Sequence, residues 1–289
     1  MLPALPLFAP RTNQCMKGYI LPFLFLIICS PVFSQKGYEL GGLAGASFYV
    51  GDINPSYSVK TPGPSLGVIG RYNFNTRTSI RFDLGAGRLI GRDSLSDNPF
   101  QQARNLSFRT DYIDAAIGLE FNFFNYVHGS RDQFFTPYVF GGLGFTYYNP
   151  KAKLDDKWYG LRFMGTEGQA VGDEYSRIAP ALAYGMGVKM DINYEWSINI
   201  ELSAKQMFSD YIDDVSTVYP EMNALASARG EIAPLLSDRS GELGIEPIGA
   251  EGRQRGVSRD KDSYYSLRIG LVYYIGLLQC PAISKPSGN

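Results

Sequence analysis

The sequence is poor in the residue types that most metal centres and hydrolases use. Its 289 residues include one histidine, His128, and three cysteines, Cys15, Cys29 and Cys280. The cysteines have no paired spacing, which excludes a disulfide framework and a zinc site. A formal net charge of −1 gives no long-range field toward nucleic acid or acidic lipid, and no nucleic-acid partner is expected. Leucine heptads are missing, so no coiled coil is expected. Beyond the N-terminal region no 18 apolar residues run together, which excludes a transmembrane helix.

What the sequence has instead is 20 Tyr, 18 Phe and 32 Gly. Spread over many short segments, they suit sheet, with glycine where backbones pack closely or bend. Met16-Lys17, an apolar run from Tyr19 to Ile28 and a polar, small-residue end at Ser30–Gln35 predict a signal peptide over residues 1–35. Residues 1–15 lack this logic, so Met16 reads as an alternative start. A lipoprotein cysteine usually follows a small residue. Ile28 precedes Cys29, so Cys29 reads as part of the discarded apolar run.

From Tyr38 onward the dominant signal is period two, which places alternate side chains on opposite faces of a strand. Tyr38, Leu40, Gly42, Ala44, Ala46, Phe48 and Val50 share one parity against Glu39, Gly41, Leu43, Gly45, Ser47 and Tyr49. Similar segments start near Ser65, Ile80, Ile113, Phe134, Arg177, Trp196 and Tyr264. The segment Phe134–Tyr148 is apolar on both faces and its orientation stays open. Leu106 and Phe108 fall on the opposite parity from Ile113 onward, which predicts a bulge or loop end near Thr110. Eight strands of about ten residues fit a tilted crossing of a bilayer.

Short connections are expected near Asn75–Thr76, Asn125–Asp132 and Asp191–Tyr194. Long ones are expected over Gly51–Pro64, Gly91–Arg104, Asn149–Tyr175 and Tyr211–Asp262, with one or two short helices between Pro220 and Leu236. Short and long in alternation is the asymmetry of outer-membrane barrels, with short turns in the periplasm and long loops outside. The predicted fold is all-β: an eight-stranded antiparallel transmembrane β-barrel over 36–278, followed by a periplasmic tail, 279–289, that contains Cys280. The barrel would be integral to the outer membrane, in contact with its lipids, with both termini periplasmic. Tyr38, Tyr148, Tyr194, Trp196, Tyr211, Tyr273 and Tyr274 are expected to form aromatic girdles.

With the apolar parity toward lipid, the lumen receives Arg71, Arg81, Lys189, Lys205 and Arg268 against Glu39, Asp83, Glu120 and Glu201. Eight strands leave room only for side chains, so a solid network of ion pairs is expected rather than a pore. A charged face on a soluble protein is the alternative.

No constellation points to catalysis, and no cofactor or catalytic residue is assigned. A lipid hydrolase needs a serine activated by a base, normally histidine. His128 lies instead in a predicted periplasmic turn, away from outer-leaflet lipid. Asp210, Asp213 and Asp214 offer oxygen ligands but lack the glycine and terminal glutamate of a calcium loop, so they read as solvated loop carboxylates or helix caps. The aromatic-rich stretch Trp158–Gln169 reads as packing over the barrel mouth, with partner contact the alternative. Gly165, Gly168 and Gly172 lack the strand-to-helix setting of a phosphate cradle.

Several stretches resemble the PorG-type outer-membrane barrels of Bacteroidota that are associated with the type IX secretion system. They are Arg71–Asn75, Arg104–Arg109, Phe135–Gly144, Tyr148–Ala152, Gly165–Gln169, Asp210–Thr217 and Gln254–Gly256, in that order along nearly the whole mature chain. The resemblance implies a non-enzymatic subunit that anchors or positions a periplasmic ring made of a lipoprotein and its partner protein. The expected contact surface is the periplasmic turn, with Asn125, Tyr126, His128, Arg131 and Asp132, together with the tail from Gln279. The alternative is a stand-alone barrel that binds surface ligands or adhesion partners through its long loops.

Overall fold

Alternating side chains fix which face of each strand is apolar, and closure of the sheet decides what that face meets. A computed structural model describes residues 37–55 and 58–276. The predicted signal peptide and the tail with Cys280 lie outside the described residues. The strands are β1 (Gly37–Val50), β2 (Gly63–Asn73), β3 (Thr78–Arg92), β4 (Ser107–Asn122), β5 (Phe135–Leu154), β6 (Lys157–Gly160), β7 (Ile178–Asp191), β8 (Trp196–Met207) and β9 (Ser263–Ile275). The sheet order is β4-β3-β2-β1-β9-β8-β7-β5-β6, and β4 also pairs with β5. Eight strands therefore close into an antiparallel barrel, and β6 only extends β5 as a hairpin. The first and last strands meet with Tyr38 opposite Ile275. Closure satisfies the backbone groups of every barrel strand without water, the condition for a sheet to cross a bilayer.

The connections alternate as the sequence predicts. Turns 74–77, 123–134 and 192–195 lie at one end, and segments 51–62, 93–106, 155–177 and 208–262 at the other. The two tight turns share one device. Asn75 Oδ1 accepts from the backbone N–H of Arg77 and Thr78 at 2.8 and 2.7 Å, and Asn193 Oδ1 accepts from Glu195 and Trp196 at 2.9 Å each. Asparagine folds back on its own backbone in this way, and so sets the hairpin register.

The predicted parity holds round the barrel. Leu40, Leu66, Phe82, Ile117, Leu143, Met186, Leu202 and Ile269 point outward and are exposed. A continuous apolar exterior around a charged interior is the inverse of a soluble core and matches a transmembrane barrel.

Three expectations change, and one open orientation is resolved. β4 runs from Arg92↔Ser107 to Thr78↔Phe121 opposite β3 with no break in register, so there is no bulge near Thr110. Phe108 faces inward because the interior itself turns apolar at the long-loop end, where Phe108 packs with Tyr49, Leu89 and Tyr112. β5 resolves its open orientation by pointing Thr136, Tyr138, Thr146 and Tyr148 inward. It also continues past the expected loop start at Asn149, turning at Asp155 and Asp156, both in the left-handed region (φ 47 and 64), into β6. Of the expected girdle residues, Tyr38, Trp196 and Tyr273 lie outside the barrel near the short-turn end, the last two with ring centres 5.0 Å apart. Tyr148 and Tyr274 are buried inside, and Tyr211 stacks on Tyr175 at 4.5 Å.

Ile269, midway along β9, should tolerate leucine but not arginine. Ile269→Arg is expected to destabilise the bilayer-inserted barrel by about 2–4 kcal/mol in urea unfolding, as a cation at the membrane midplane does. An unchanged midpoint would contradict the outward, lipid-facing assignment.

Candidate functional site

Every inward side chain of an eight-stranded barrel must find its partner within the barrel, because the lumen has no room for bulk water. The residues the sequence places there do meet. Arg71 bridges Glu39 (3.0 Å) and Glu120 (2.8 Å). Arg81 makes a two-pronged contact with Asp83, both arms 2.8 Å, and reaches Glu120 at 3.2 Å and Glu201 at 2.9 Å. Its guanidinium lies 3.5 Å from the centre of the Phe140 ring. Glu201 also accepts from Arg268 and from the Tyr138 hydroxyl, each at 2.9 Å. Lys189 pairs with Glu120 and Lys205 with Asp114.

Asp114 is the carboxylate missing from the sequence-based set. It also accepts from the Tyr264 hydroxyl at 2.9 Å. With it, Arg71, Arg81, Lys189, Lys205 and Arg268 are matched by Glu39, Asp83, Asp114, Glu120 and Glu201. Its inward parity was the available signal. Two glycines make the fit possible: a Cβ on Gly67 would stand 2.5 Å from Arg268 Nη1, and one on Gly85 would stand 2.7 Å from Asp114 Oδ1.

The short-turn end is stoppered. His128 lies between the rings of Tyr274 (4.1 Å between centres) and Tyr126 (4.7 Å). Its Nε2 is 3.4 Å from Glu39 Oε1 and its Nδ1 is 3.1 Å from Asp191 Oδ1. Burial lowers the imidazole pKa, but the hydrogen bonds and charges of Asp191 and Glu39 outweigh it, and the net shift is upward. The Tyr126 hydroxyl donates to Asp191. Grouping Tyr126 and His128 with the contact surface is therefore corrected: both are buried, because the twelve-residue turn folds back into the lumen. Asn125, Arg131 and Asp132 are exposed. Beside them a concave surface of about 600 Å³ is lined by Phe124, Asn125, Asp132, Gln133, Phe134, Phe135 and Met190.

The long-loop end carries a folded cap. It contains α1 (Pro99–Arg104), α2 (Leu161–Met164), α3 (Met222–Arg229) and α4 (Ile232–Ser237). α3 and α4 fall where the sequence predicts short helices. Two buried arginines clip the loops together. Arg104 binds Asp93 through two nitrogens (2.7 and 2.8 Å) and donates to the Arg255 carbonyl at 2.5 Å. Arg255 donates to Glu167 at 3.1 Å and to the Asp214 carbonyl at 2.5 Å. Glu167 accepts in turn from the N–H groups of Ser216 and Thr217, at 2.7 and 3.0 Å. Four of the stretches that carry the family resemblance, around Arg104, Glu167, Asp214 and Arg255, thus converge on one cap.

The aspartates of this cap are buried, not solvated. The Tyr49 hydroxyl lies 2.6 Å from Asp213 Oδ2 and 2.7 Å from Asp262 Oδ1. One phenolic hydrogen serves one carboxylate, so the other contact requires a carboxyl proton. Burial, reinforced by neighbouring carboxylates, raises the pKa of Asp213 and Asp262 well above the ordinary value. Burial also pushes Asp210 up to about 7 and Asp214 to about 6, the latter against the pull of Arg255. No group of three or more potential metal ligands occurs among the described residues.

Folded, these carboxyls hold protons more tightly than when unfolded. Cap stability is therefore full below the ordinary aspartate value of 3.8 and falls as pH rises toward the Asp210 value of about 7. Between pH 5 and 8, amide exchange at Ile212 and Val215, whose N–H groups bond Asp262 and Asp213, should accelerate beyond its intrinsic base catalysis. Asp210→Asn should flatten that dependence. Flat protection in the unmodified protein would contradict the buried-carboxyl account. In the lumen, Glu201→Ala strands Arg268 and takes one of three carboxylates from Arg81, and should cost about 3–5 kcal/mol in urea unfolding; a loss under about 1 kcal/mol would show that water enters the network.

No curated protein sequence matches the chain. Similar solved structures include Ail, the attachment invasion locus protein of Yersinia pestis, at 11% identity over 84% of this chain and 99% of that one, TM-score 0.37. Neisserial surface protein A is similar at 10% identity over 82% and 96%, TM-score 0.39. The outer membrane protein OprG from Pseudomonas aeruginosa is similar at 13% identity over 84% and 98%, TM-score 0.37. A family model matches residues 18–232, most of the chain, and the protein belongs to the family described as Domain of unknown function (DUF6089).

Proposed function

We propose that this protein is a non-enzymatic, non-conducting barrel of the outer membrane that anchors or positions the periplasmic ring of a type IX secretion machine. The observation that carries the scaffold reading is the filled lumen. Paired charges occupy its middle, His128 and Tyr126 stopper the short-turn end, and the cap covers the other. A barrel with no path through it acts by the surfaces it displays. The apolar exterior supports integral membrane placement, and the short-turn asymmetry supports periplasmic termini. The secretion role rests on the ordered sequence motifs. Because those motifs build the cap, they support the family resemblance more directly than the ring contact.

The contact surface we assign is the exposed part of the β4–β5 turn. Phe124 and Phe134 line the concave surface with Asn125 and Asp132, and Arg131 is exposed in the same turn. An apolar centre with a polar rim is the anatomy of a protein interface. Changing the exposed residues leaves the His128 stopper in place, whereas deleting the turn removes it.

The reading is tested by affinity capture of the tagged protein from gently solubilised native outer membranes, with mass spectrometry of what accompanies it. A ring lipoprotein and its partner should co-purify with the unmodified protein and be lost with Phe124→Asp/Arg131→Glu, while the barrel stays folded. Capture of the barrel alone would refute the secretion role. In planar bilayers the protein should show no stepwise conductance; regular steps would refute the filled-lumen reading. The loop-binding alternative is favoured by exposed side chains in the long loops, among them Val171 (73% exposed) and Phe163 (52%). Capture of the barrel without ring proteins would turn attention to them.

A further inference from the structure

The net charge of −1 conceals a local imbalance on the outside of the barrel. On β3, β4 and β5 the outward positions pass from apolar to basic toward the long-loop end. Ala86, Ile113 and Tyr147 form one row of register partners. Two residues further along β3, about 6–7 Å, stands Arg88 opposite Asp111. Arg109 opposite Lys151 follows, then Arg92 opposite Ser107. Arg239 reaches over from the last loop and donates to Ser107 Oγ at 2.8 Å.

Of these side chains, Arg88, Arg92, Ser107, Arg109 and Arg239 line a groove of about 590 Å³. Arg88, Arg92, Arg109, Lys153, Arg239 and Trp158 border it, and no carboxylate does. Three of its cations have partners nearby: Arg88 with Asp111 at 2.6 Å, Lys153 with Asp156 at 2.5 Å and Arg239 with Glu242 at 2.8 Å. Among the described residues Arg92 and Arg109 form no ion pair. Arg109 lies 4.0 Å from the centre of the Trp158 ring, and its buried Nε makes no hydrogen bond. A buried guanidinium donor without an acceptor is costly and calls for an explanation. Outward rim positions on the other strands carry no charge: Phe48, Pro64, Ile178, Gln206 and Tyr265. The basic face is thus confined to three adjacent strands.

We propose that this groove binds the phosphorylated headgroup of an outer-leaflet glycolipid, a reading that rests on the membrane orientation proposed above. Arginine presents a planar fork of donors that matches phosphate oxygens. Arg109, fixed against Trp158, and Arg92 supply the uncommitted forks. Arg88, Lys153 and Arg239 add positive potential. Toward the middle of the barrel, past the Arg88–Asp111 pair, the same outer face presents Ala86, Ile113 and Tyr147, along which the acyl chains of the same molecule would lie. A soluble phosphate uses only the upper half of this surface, whereas an amphiphile uses both.

The test uses the full mature chain inserted in phosphatidylcholine nanodiscs, with insertion checked by heat-dependent electrophoretic mobility. Native mass spectrometry follows retention of diphosphorylated lipid A and of its dephosphorylated counterpart. The unmodified barrel should retain the phosphorylated form at least about tenfold better, the range that loss of charge-assisted hydrogen bonds commands. Arg92→Gln/Arg109→Gln should abolish the preference with insertion intact, and Arg77→Gln, exposed in the 74–77 turn at the opposite end, should keep it. Equal retention of both lipids, or a preference that survives the double substitution, would overturn the proposal. Binding of inorganic phosphate as tight as that of lipid A would overturn the glycolipid assignment in favour of a free anion. A chain that fails to insert would overturn the membrane placement itself, and the mobility assay tells that failure apart from the others.

Discussion

The pairing of charges inside a closed barrel is the constraint on which the rest of this structure depends. Eight strands enclose a space no wider than their own side chains, and a cation left alone there would cost several kcal/mol. Glu120, Glu201 and Arg81 each serve more than one partner, which ties residues from β3, β4, β8 and β9 into one network. Removing Glu201 leaves Arg268 without its carboxylate, whereas Arg81 keeps Asp83 and Glu120. The network therefore holds the register of strands far apart in the sequence, as well as filling the lumen.

Both ends of the barrel extend this logic with different chemistry. At the short-turn end the charges give way to aromatic stacking, with His128 held between two tyrosine rings and two carboxylates. At the long-loop end they give way to an apolar cluster containing Leu89, Phe108, Tyr112 and Tyr148. Above it the cap is held by Arg104, Arg255 and a set of carboxyls whose pKa values burial raises. The change from polar to apolar lumen explains why the parity rule reverses near Phe108. The strand keeps its alternation, and its surroundings change.

Function on this account belongs to the outside of the molecule. The β4–β5 turn offers an apolar patch with polar residues beside it, and the opposite rim offers a basic groove over three strands. Neither surface shows in the bulk charge of the chain, because the lumen pairs cancel and the remaining excess is local. A net charge near zero argues against long-range steering and says little about a site a few ångströms across.

Local pattern was enough to establish the barrel. Period-two alternation and strand length depend on residues within about ten positions of one another, the short–long sequence of connections on the spacing of those segments along the chain, and backbone geometry converts them directly into faces and ends. The inward parity likewise delivered the lumen charges, Asp114 being passed over although its parity was readable. Tertiary structure alone decided the rest. That His128 and Tyr126 turn into the lumen depends on Glu39, Asp191 and Tyr274, residues tens of positions away that only closure brings together. The aspartates near Asp213 read as solvated because nothing local reveals that Tyr49 and Asp262 will bury them. The basic groove gathers Arg88, Arg109, Lys153 and Arg239 from three strands and a distant loop. Sequence alternation specifies which way a side chain points, whereas what it meets there is set by chain closure over long separations, for which no local pattern exists.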